Sequence, residues 1–564
     1  MAAPALAALP AGAQATFASN RSENRNDSAE MSLRARNLQT RFESRRRQLL
    51  PRFYQGTPDH CLVVGRFCEW HPTFDEDRVP EEPKEIRRVR AEFLLQLALI
   101  SAQIPGDDWI VGQRVRYLLE ARDDTTALRV ARECAGTRWW CDALRGMALH
   151  ARGDFFGADS SYATALERMP SARRCHWMNV SPLLDGDYAK TIRRMPCGAR
   201  EAAVARVWFM ADPLLMIPGN ERRTEHFSRV VHTYMQEDAT NTYGLRWAGD
   251  LGEMIVRFGW VEKWTQEPSA SMYPGVAPSV TGHERRPGFH FFMLQRPPDD
   301  LGLVADSLWD IRQFPPREQY APRYARSFSP LDAQVARFRR GDSTMIVAAY
   351  DVGEDTLFRR RRFTAALIAT SEEAKIPAVR AIVDAPTRQV VTLMSPWKSQ
   401  LVGVELLARD SAGAARWRAG FNEIPLDDNR ISLSDILFVD GAMLPGTLEE
   451  AIPITHAGTV FRRDRKVGLF WELYGRAPAD SALPISLTIT PIEGGLLGKA
   501  ARALRIGQKP TPLNIRWQEN GSAGVLSARA VSLDLSLVPK GRYAVKLEIG
   551  SAEVAKAAKV IEVR

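Results

Sequence analysis

The residues of this chain best suited to chemistry stand in its middle: Glu221, Glu225, His226, Arg229, Asp250, Glu253 and Arg257, with His283 and Glu284 further along. Steps of four place Glu221, Glu225 and Arg229 on one helix face, and the three-residue step from Asp250 to Glu253 allows a second shared face. Paired carboxylates beside a histidine can exchange protons with a substrate or hold a cation. The same residues also read as architecture, with Glu225/Arg229 and Asp250/Arg257 as ion pairs and Asp250 capping or orienting a turn. Other chemistries lack their signatures. No GxxxxGK[ST] loop and no GxGxxG opening a helix after a strand occurs, so nucleotide binding is not expected. There is no Gly-x-Ser-x-Gly elbow, and the nine histidines form no HExxH. The sequence therefore assigns no catalytic residue, no metal ligand and no cofactor.

The elements that must position these residues begin with helices. EIRRVRAEFLLQLALISAQI has a helical period and stops before Pro105-Gly106. A unit starting at Trp109 is then written again from Trp140, an offset of 31 residues; in each copy a helix ends at a Gly/Asp turn and a second opens with Ala127 or Ala158. In the second copy Gly146, Ala158, Tyr162, Ala165 and Pro170 stand at the small, aromatic and terminal-proline positions of a tetratricopeptide unit, which it resembles. Small residues let paired helices approach while the aromatic fills the gap. Such an array either holds a partner in its concave groove or buttresses its neighbour. Trp139 and Trp140 at a helix start could face that groove, although burial of at least one between helices is the expectation.

Residues 198–264 are again mostly helical. AREAAVARVWFMADPLLM and EHFSRVVHTYM flank the Pro218-Gly219-Asn220 turn, and MIVRF reads as a short strand closed by Gly259. Here Trp247-x-Gly249-Asp250-Leu251-Gly252, followed by Met254 to Gly259, resembles the motif that names the GWxTD-domain proteins, a bacterial family. The upstream Asn220, Glu221, Glu225 and Arg229 resemble the helix that precedes the motif. Arg246, Gly249 and Leu251 depart from it, whereas Trp247, Asp250, Gly252 and Gly259 keep it. The resemblance implies a divergent member with an envelope location and brings no established activity. Trp247, Phe258 and Trp260 read as core packing.

The C-terminal half carries MIVAAY, FTAALIA, VVTLM, LVGVELLA and ARWRAGF, then VGLFWELYG, ISLTITPI, LNIRWQE, VSLDLSLV, YAVKLEI and AKVIEV. Short alternating or β-branched runs between Gly/Pro/Asp turns predict two consecutive immunoglobulin-like β-sandwiches. Residues 264–340, rich in Pro, Gly and Arg, read as a long connector with one apolar island, GFHFFML.

The six cysteines, Cys61, Cys68, Cys134, Cys141, Cys175 and Cys197, form three local pairs by spacing; disulfides in an exported chain are the expectation, although sequence leaves the connectivity open. The Ala/Leu-rich start ending at Ala13-Gln14-Ala15 has the form of a signal-peptidase site but lacks a positive n-region. No apolar run reaches the ~18–20 residues of a membrane span. The net charge of +9 is mostly Arg interleaved with 67 acids, and the runs at 45–47 and 359–362 are short, so a nucleic-acid partner is not expected.

These features predict a multidomain α plus β protein in the periplasm or secreted: a signal-like and disordered lead-in over 1–50, a TPR-like helical domain over 51–197, a GWxTD-like domain and connector over 198–340, and β-sandwiches over 341–440 and 441–564. The function expected of it is non-catalytic protein–protein interaction or assembly, as part of an envelope complex. The alternative is an enzyme or cation-binding module centred on Glu225, His226, Asp250 and Glu253.

Overall fold

In the computed structural model, residues 11–53, 61–69, 79–267, 279–283, 288–311, 317–374, 377–423, 431–441, 444–475, 482–492, 512–520, 526–550 and 554–564 are described, their side chains from residue 27 onward except Asn520. Residues 1–10 of the signal-like start and Glu284 lie outside the described residues. The chain divides into two compact units, one of residues 1–213, 217–296 and 312–321, the other of 214–216, 297–311 and 322–564.

The first unit is built from helices cut to length by Asp, Gly and Pro. Its elements are α1 (Ala11–Leu49), a hairpin of β1 (Leu62–Val64) and β2 (Phe67–Glu69), then α2 (Lys84–Gln103), α3 (Asp108–Glu120), α4 (Asp124–Arg132), α5 (Arg138–Ala151) and α6 (Phe155–Arg168). After these come α7 (Ser171–Trp177), α8 (Gly186–Arg194), α9 (Cys197–Ala211), α10 (Glu221–Glu237), α11 (Gly249–Phe258) and a second small hairpin of β3 (Lys263–Gln266) and β4 (Val280–His283). The 31-residue repeat is visible in the backbone. Arg122 and Gly153 both have positive φ, the amides of Asp123 and Asp154 donate to the Leu118 and Leu149 carbonyls, and each Asp side chain then caps the next helix. Between α5 and α6 a Cβ on Gly146 would stand 2.9 Å from the Tyr162 ring, so the two helices meet where the sequence has glycine. Trp139 and Trp140 are both buried in that core, together with Phe227 and Val231 of α10. The cysteines pair as Cys61–Cys68, Cys134–Cys141 and Cys175–Cys197.

Two segments differ from the sequence-based expectation. Residues 11–49 form a helix where a disordered lead-in was expected; Ala35, Gln39, Phe42, Glu43 and Arg46 recur at helical spacing and are buried, so the stripe was masked by its polar members. MIVRF is not a strand but the end of α11. Leu251 and Phe258 are buried at a seven-residue spacing, which fits a helix, and Gly259 stops it at φ 105.

The second unit is built from strands. Those of its first half are β5 (Ser327–Pro330), β6 (Ala333–Arg340), β7 (Ser343–Asp351), β8 (Phe363–Thr370), β9 (Ala378–Ile382), β10 (Arg388–Pro396), β11 (Gln400–Ala408) and β12 (Gly413–Phe421). They form sheets of order β10-β7-β6 and β5-β12-β11-β8-β9. Alternate residues from both, such as Ile346, Ala348 and Tyr350 of β7 and Val402, Val404 and Leu406 of β11, share one core. The rest are β13 (Ser432–Leu433), β14 (Leu437–Asp440), the short α12 (Leu448–Ala451), β15 (Val460–Phe461), β16 (Lys466–Tyr474), β17 (Ala482–Pro491), β18 (Leu513–Asn520), β19 (Leu526–Asp534), β20 (Gly541–Ile549) and β21 (Ala555–Val563). Here β13, β14 and β19 pair with β16, and the facing sheet runs β15-β21-β20-β17-β18. Trp471, Leu487, Val545 and Leu547 lie in the core between them. A smaller cluster joins β6 and β7 to β14, β16 and α12 through Phe338, Val347, Leu437 and Phe470. In this unit paired strands thus begin at Ser327, within the stretch read as a connector, and β13 and β14 join the second pair of sheets ahead of residue 441.

Candidate functional site

Helix α10 buries charge along most of its length: Glu221, Arg222, Glu225, His226 and Arg229 are all at most 7% exposed. Buried ions persist only when paired and hydrogen-bonded, so the partners define the site. Asn220 starts the helix, accepting from the Arg223 amide at 2.9 Å and donating to the Trp208 carbonyl at 2.6 Å. Glu225 accepts from Arg229 Nε at 2.6 Å through one oxygen and lies 2.7 Å from His150 Nε2 through the other. His150 Nδ1 is in turn 2.9 Å from the Thr224 hydroxyl. Burial alone would push the Glu225 carboxyl up, but Arg229 and His150 outweigh it and hold it well below the usual carboxylate range.

Arg229 has a second task. Its Nη1 donates to the carbonyls of Val256 (3.2 Å) and Arg257 (2.9 Å), and its Nη2 to that of Gln319 (2.9 Å). Those first two carbonyls belong to the last turn of α11, where a helix runs out of its own donors, and that of Arg257 also accepts from the Gln319 amide at 3.1 Å. Gly259 follows at positive φ, its amide returning to the Ile255 carbonyl. Glu225, Arg229 and Gly259 thus form one device that ends a helix.

A second buried group surrounds Arg222. It pairs with Glu318 at 2.6 Å with both side chains fully buried, His290 Nδ1 is 2.7 Å from the same carboxylate, and the Tyr320 hydroxyl donates to Glu221 at 3.4 Å. His226 lies against the rings of Trp208 and Phe227, its Nε2 3.3 Å from the Trp177 carbonyl. Burial, with the Arg222 charge, pushes His226 down to about 3, and burial, with Arg116, does the same to His232. Both are therefore neutral in the folded protein at pH values where the unfolded chain takes up protons. Their contribution to stability should be full above about pH 6.5 and fall as the pH drops from there toward 3. Between pH 6.5 and 5 these two residues should each contribute up to one proton bound on unfolding. His226→Phe, which keeps a ring between Trp208 and Phe227, should remove one proton from that slope in urea titrations at several pH values; an unchanged slope would refute the assignment.

The remaining candidates are not gathered here. Asp250 is held by Arg66, whose Nε and Nη2 donate to its two oxygens at 2.6 and 2.7 Å. These bonds hold its carboxyl well below the usual range. The pairing of Asp250 with Arg257 expected from spacing is therefore replaced. Arg257 instead bonds Glu253 at 2.9 Å and the Arg317 carbonyl at 2.6 Å. His283 stands on β4, 2.7 Å from the Thr265 hydroxyl, and burial pushes it down to about 4. Trp247 is half-buried, and a Cβ on Gly252 would make only ordinary contact with it at 3.9 Å. Among the described residues no group of three or more His, Cys, Asp or Glu could hold a metal ion. His150, Arg66, Glu318 and His290 were missed from sequence, since no periodicity links residues 28 to 184 positions apart.

No protein-family model matches the chain, and no curated protein matches it. Among solved structures it is similar to an immunoglobulin-like protein from Pseudomonas aeruginosa, at 16% identity over 25% of this chain and 100% of that one, with a TM-score of 0.16. It is also similar to red sea bream transglutaminase, at 10% identity over 41% of this chain and 31% of that one, with a TM-score of 0.13. A third likeness is to a Salmonella alpha-2-macroglobulin, at 7% identity over 41% of this chain and 24% of that one, with a TM-score of 0.15. The chain spans less than a third of the last two, and likenesses at these TM-scores carry no inference about fold or activity.

Proposed function

We propose that this protein is a non-catalytic component of the cell envelope that acts by holding protein partners. In this reading it is a divergent GWxTD-domain chain, with tetratricopeptide-like helices before the motif and two immunoglobulin-like sandwiches after it. The observation that carries the reading is the engagement of each described acid of the central cluster: Glu221 by the Tyr320 hydroxyl, Glu225 by Arg229 and His150, Asp250 by Arg66, Glu253 by Arg257. Carboxylates so committed fasten helices rather than meet a substrate. Recognition then falls to the surface, where β9 and β18 end their sheets and expose Val379 and Ile515. An open edge strand offers backbone groups to an added strand and side chains for specificity. Three disulfides suit an oxidising compartment, and no described helix is long and apolar enough to cross a membrane.

The test is crosslinking of the tagged protein in its native envelope, purification, and mass spectrometry. A stoichiometric partner is expected, and its yield should fall at least tenfold in the Val379→Lys, Ile515→Lys double variant. Recovery of monomer alone, or capture indifferent to both substitutions, would overturn the proposal in this form.

A further inference from the structure

The hairpin of β1 and β2 is closed by Cys61–Cys68 and carries Gly65-Arg66 at its tip. That tip rests on the start of α11. Besides its two side-chain bonds to Asp250, Arg66 donates its backbone N–H to Asp250 Oδ2 at 3.1 Å and its Nη2 to the Arg246 carbonyl at 3.2 Å. Gly65 turns there at φ 55, and a Cβ on it would run into Asp250 Cβ, so the approach requires glycine. Next to it Phe67 packs on Tyr243, ring centroids 5.4 Å apart. The carboxylate of the motif is thus filled from within the chain.

Two three-residue strands do not make a hairpin that is stable by itself, so covalent closure adds to the packing on α11 in holding the tip. Cys68 is exposed, whereas the other five cysteines are half-buried, so it offers the most accessible sulfur to an attacking thiolate.

We propose that Cys61–Cys68 is a redox-sensitive latch: closed, it holds Arg66 over Asp250; opened by a dithiol, it lets the hairpin leave and uncovers the motif carboxylate and the Tyr243 ring. A thiolate of the dithiol attacks Cys68 Sγ, and Cys61 leaves as a thiolate and takes up a proton. The second thiol of the dithiol then displaces Cys68 and closes its own disulfide, so that two electrons pass from dithiol to cystine. The inference stands apart from the partner-holding reading and survives its failure.

The experiment is hydrogen exchange of the full chain across a dithiothreitol titration, with alkylation at each step to locate free thiols. Cys61 and Cys68 should be alkylated before the other four cysteines. At that point peptides covering 61–69 and 246–255 should exchange at least tenfold faster than in the oxidised protein, with those around Cys134 and Cys175 unchanged. Arg66→Ala should reproduce the acceleration at 246–255 with the disulfide intact. Exchange at 246–255 that stays at the oxidised rate once Cys61 and Cys68 are fully alkylated would overturn the latch. So would earlier opening of either other disulfide.

Discussion

Glu225→Ala should lower the stability of the helical unit by about 3–5 kcal/mol, the usual cost of removing one partner from a buried ion pair. The substitution strands two groups at once. Arg229 keeps its charge in a buried position with only carbonyls as partners, and His150 Nε2 loses its acceptor. The damage should spread to α11, whose last turn depends on the placement of Arg229. Glu225→Gln, which keeps an acceptor for Arg229 without the charge, should cost less than the alanine variant. Calorimetry should show the melting temperature falling by about 10 °C for Glu225→Ala. Because the folded carboxyl is depressed, its contribution is complete above the ordinary value near 4.5 and is lost as the pH falls through the folded value. The deficit should therefore be constant from pH 8 to 5 and shrink in stronger acid. A melting temperature like that of the native protein would return Glu225 to the acid–base reading.

What could be read from sequence was what local periodicity encodes. The strands of the second unit followed from alternation and turn residues, and the pairing of Cys61 with Cys68 and Cys134 with Cys141 matches separations of only seven residues. The repeat at 31 residues was legible because it rewrites the same turn, down to the aspartate that caps the next helix. Local β-branching misled at Ile255 and Val256, where the spacing of Leu251 and Phe258 decided the outcome. The ion pairs were illegible for a different reason. Glu225 and Arg229 are neighbours on one helix, so their bond could be inferred, but His150 reaches Glu225 from α5 and Arg66 reaches Asp250 across 184 positions. Such pairs depend on how elements pack, which no spacing rule contains.

The strand LVGVELLA hides the same kind of information, and it supports the second large prediction. Glu405 is a lone acid in an apolar run, yet it is fully buried. Val402, Val404 and Leu406 face the core between the sheets, so alternation turns Glu405 to the opposite face of β11. There it accepts from Arg418 Nη2 at 2.9 Å and from the amides of Leu215 and Met216 at 3.0 and 2.8 Å. A single carboxylate therefore neutralises a fully buried guanidinium and satisfies two backbone donors of the segment 214–216. Glu405→Ala should cost about 3–5 kcal/mol for breaking the buried pair with Arg418, with the amides of Leu215 and Met216 losing their acceptor as a further penalty. Glu405→Gln should recover part of the loss, because its carbonyl oxygen can still accept from an amide while its NH2 faces Arg418 unfavourably. Joint replacement by Glu405→Leu and Arg418→Met should cost less than Glu405→Ala alone, since it removes the charge as well as its partner. Urea unfolding of the three variants decides the matter. A double variant no more stable than Glu405→Ala would mean that the pairing with Arg418 adds nothing, and that the amides of 214–216 account for the cost.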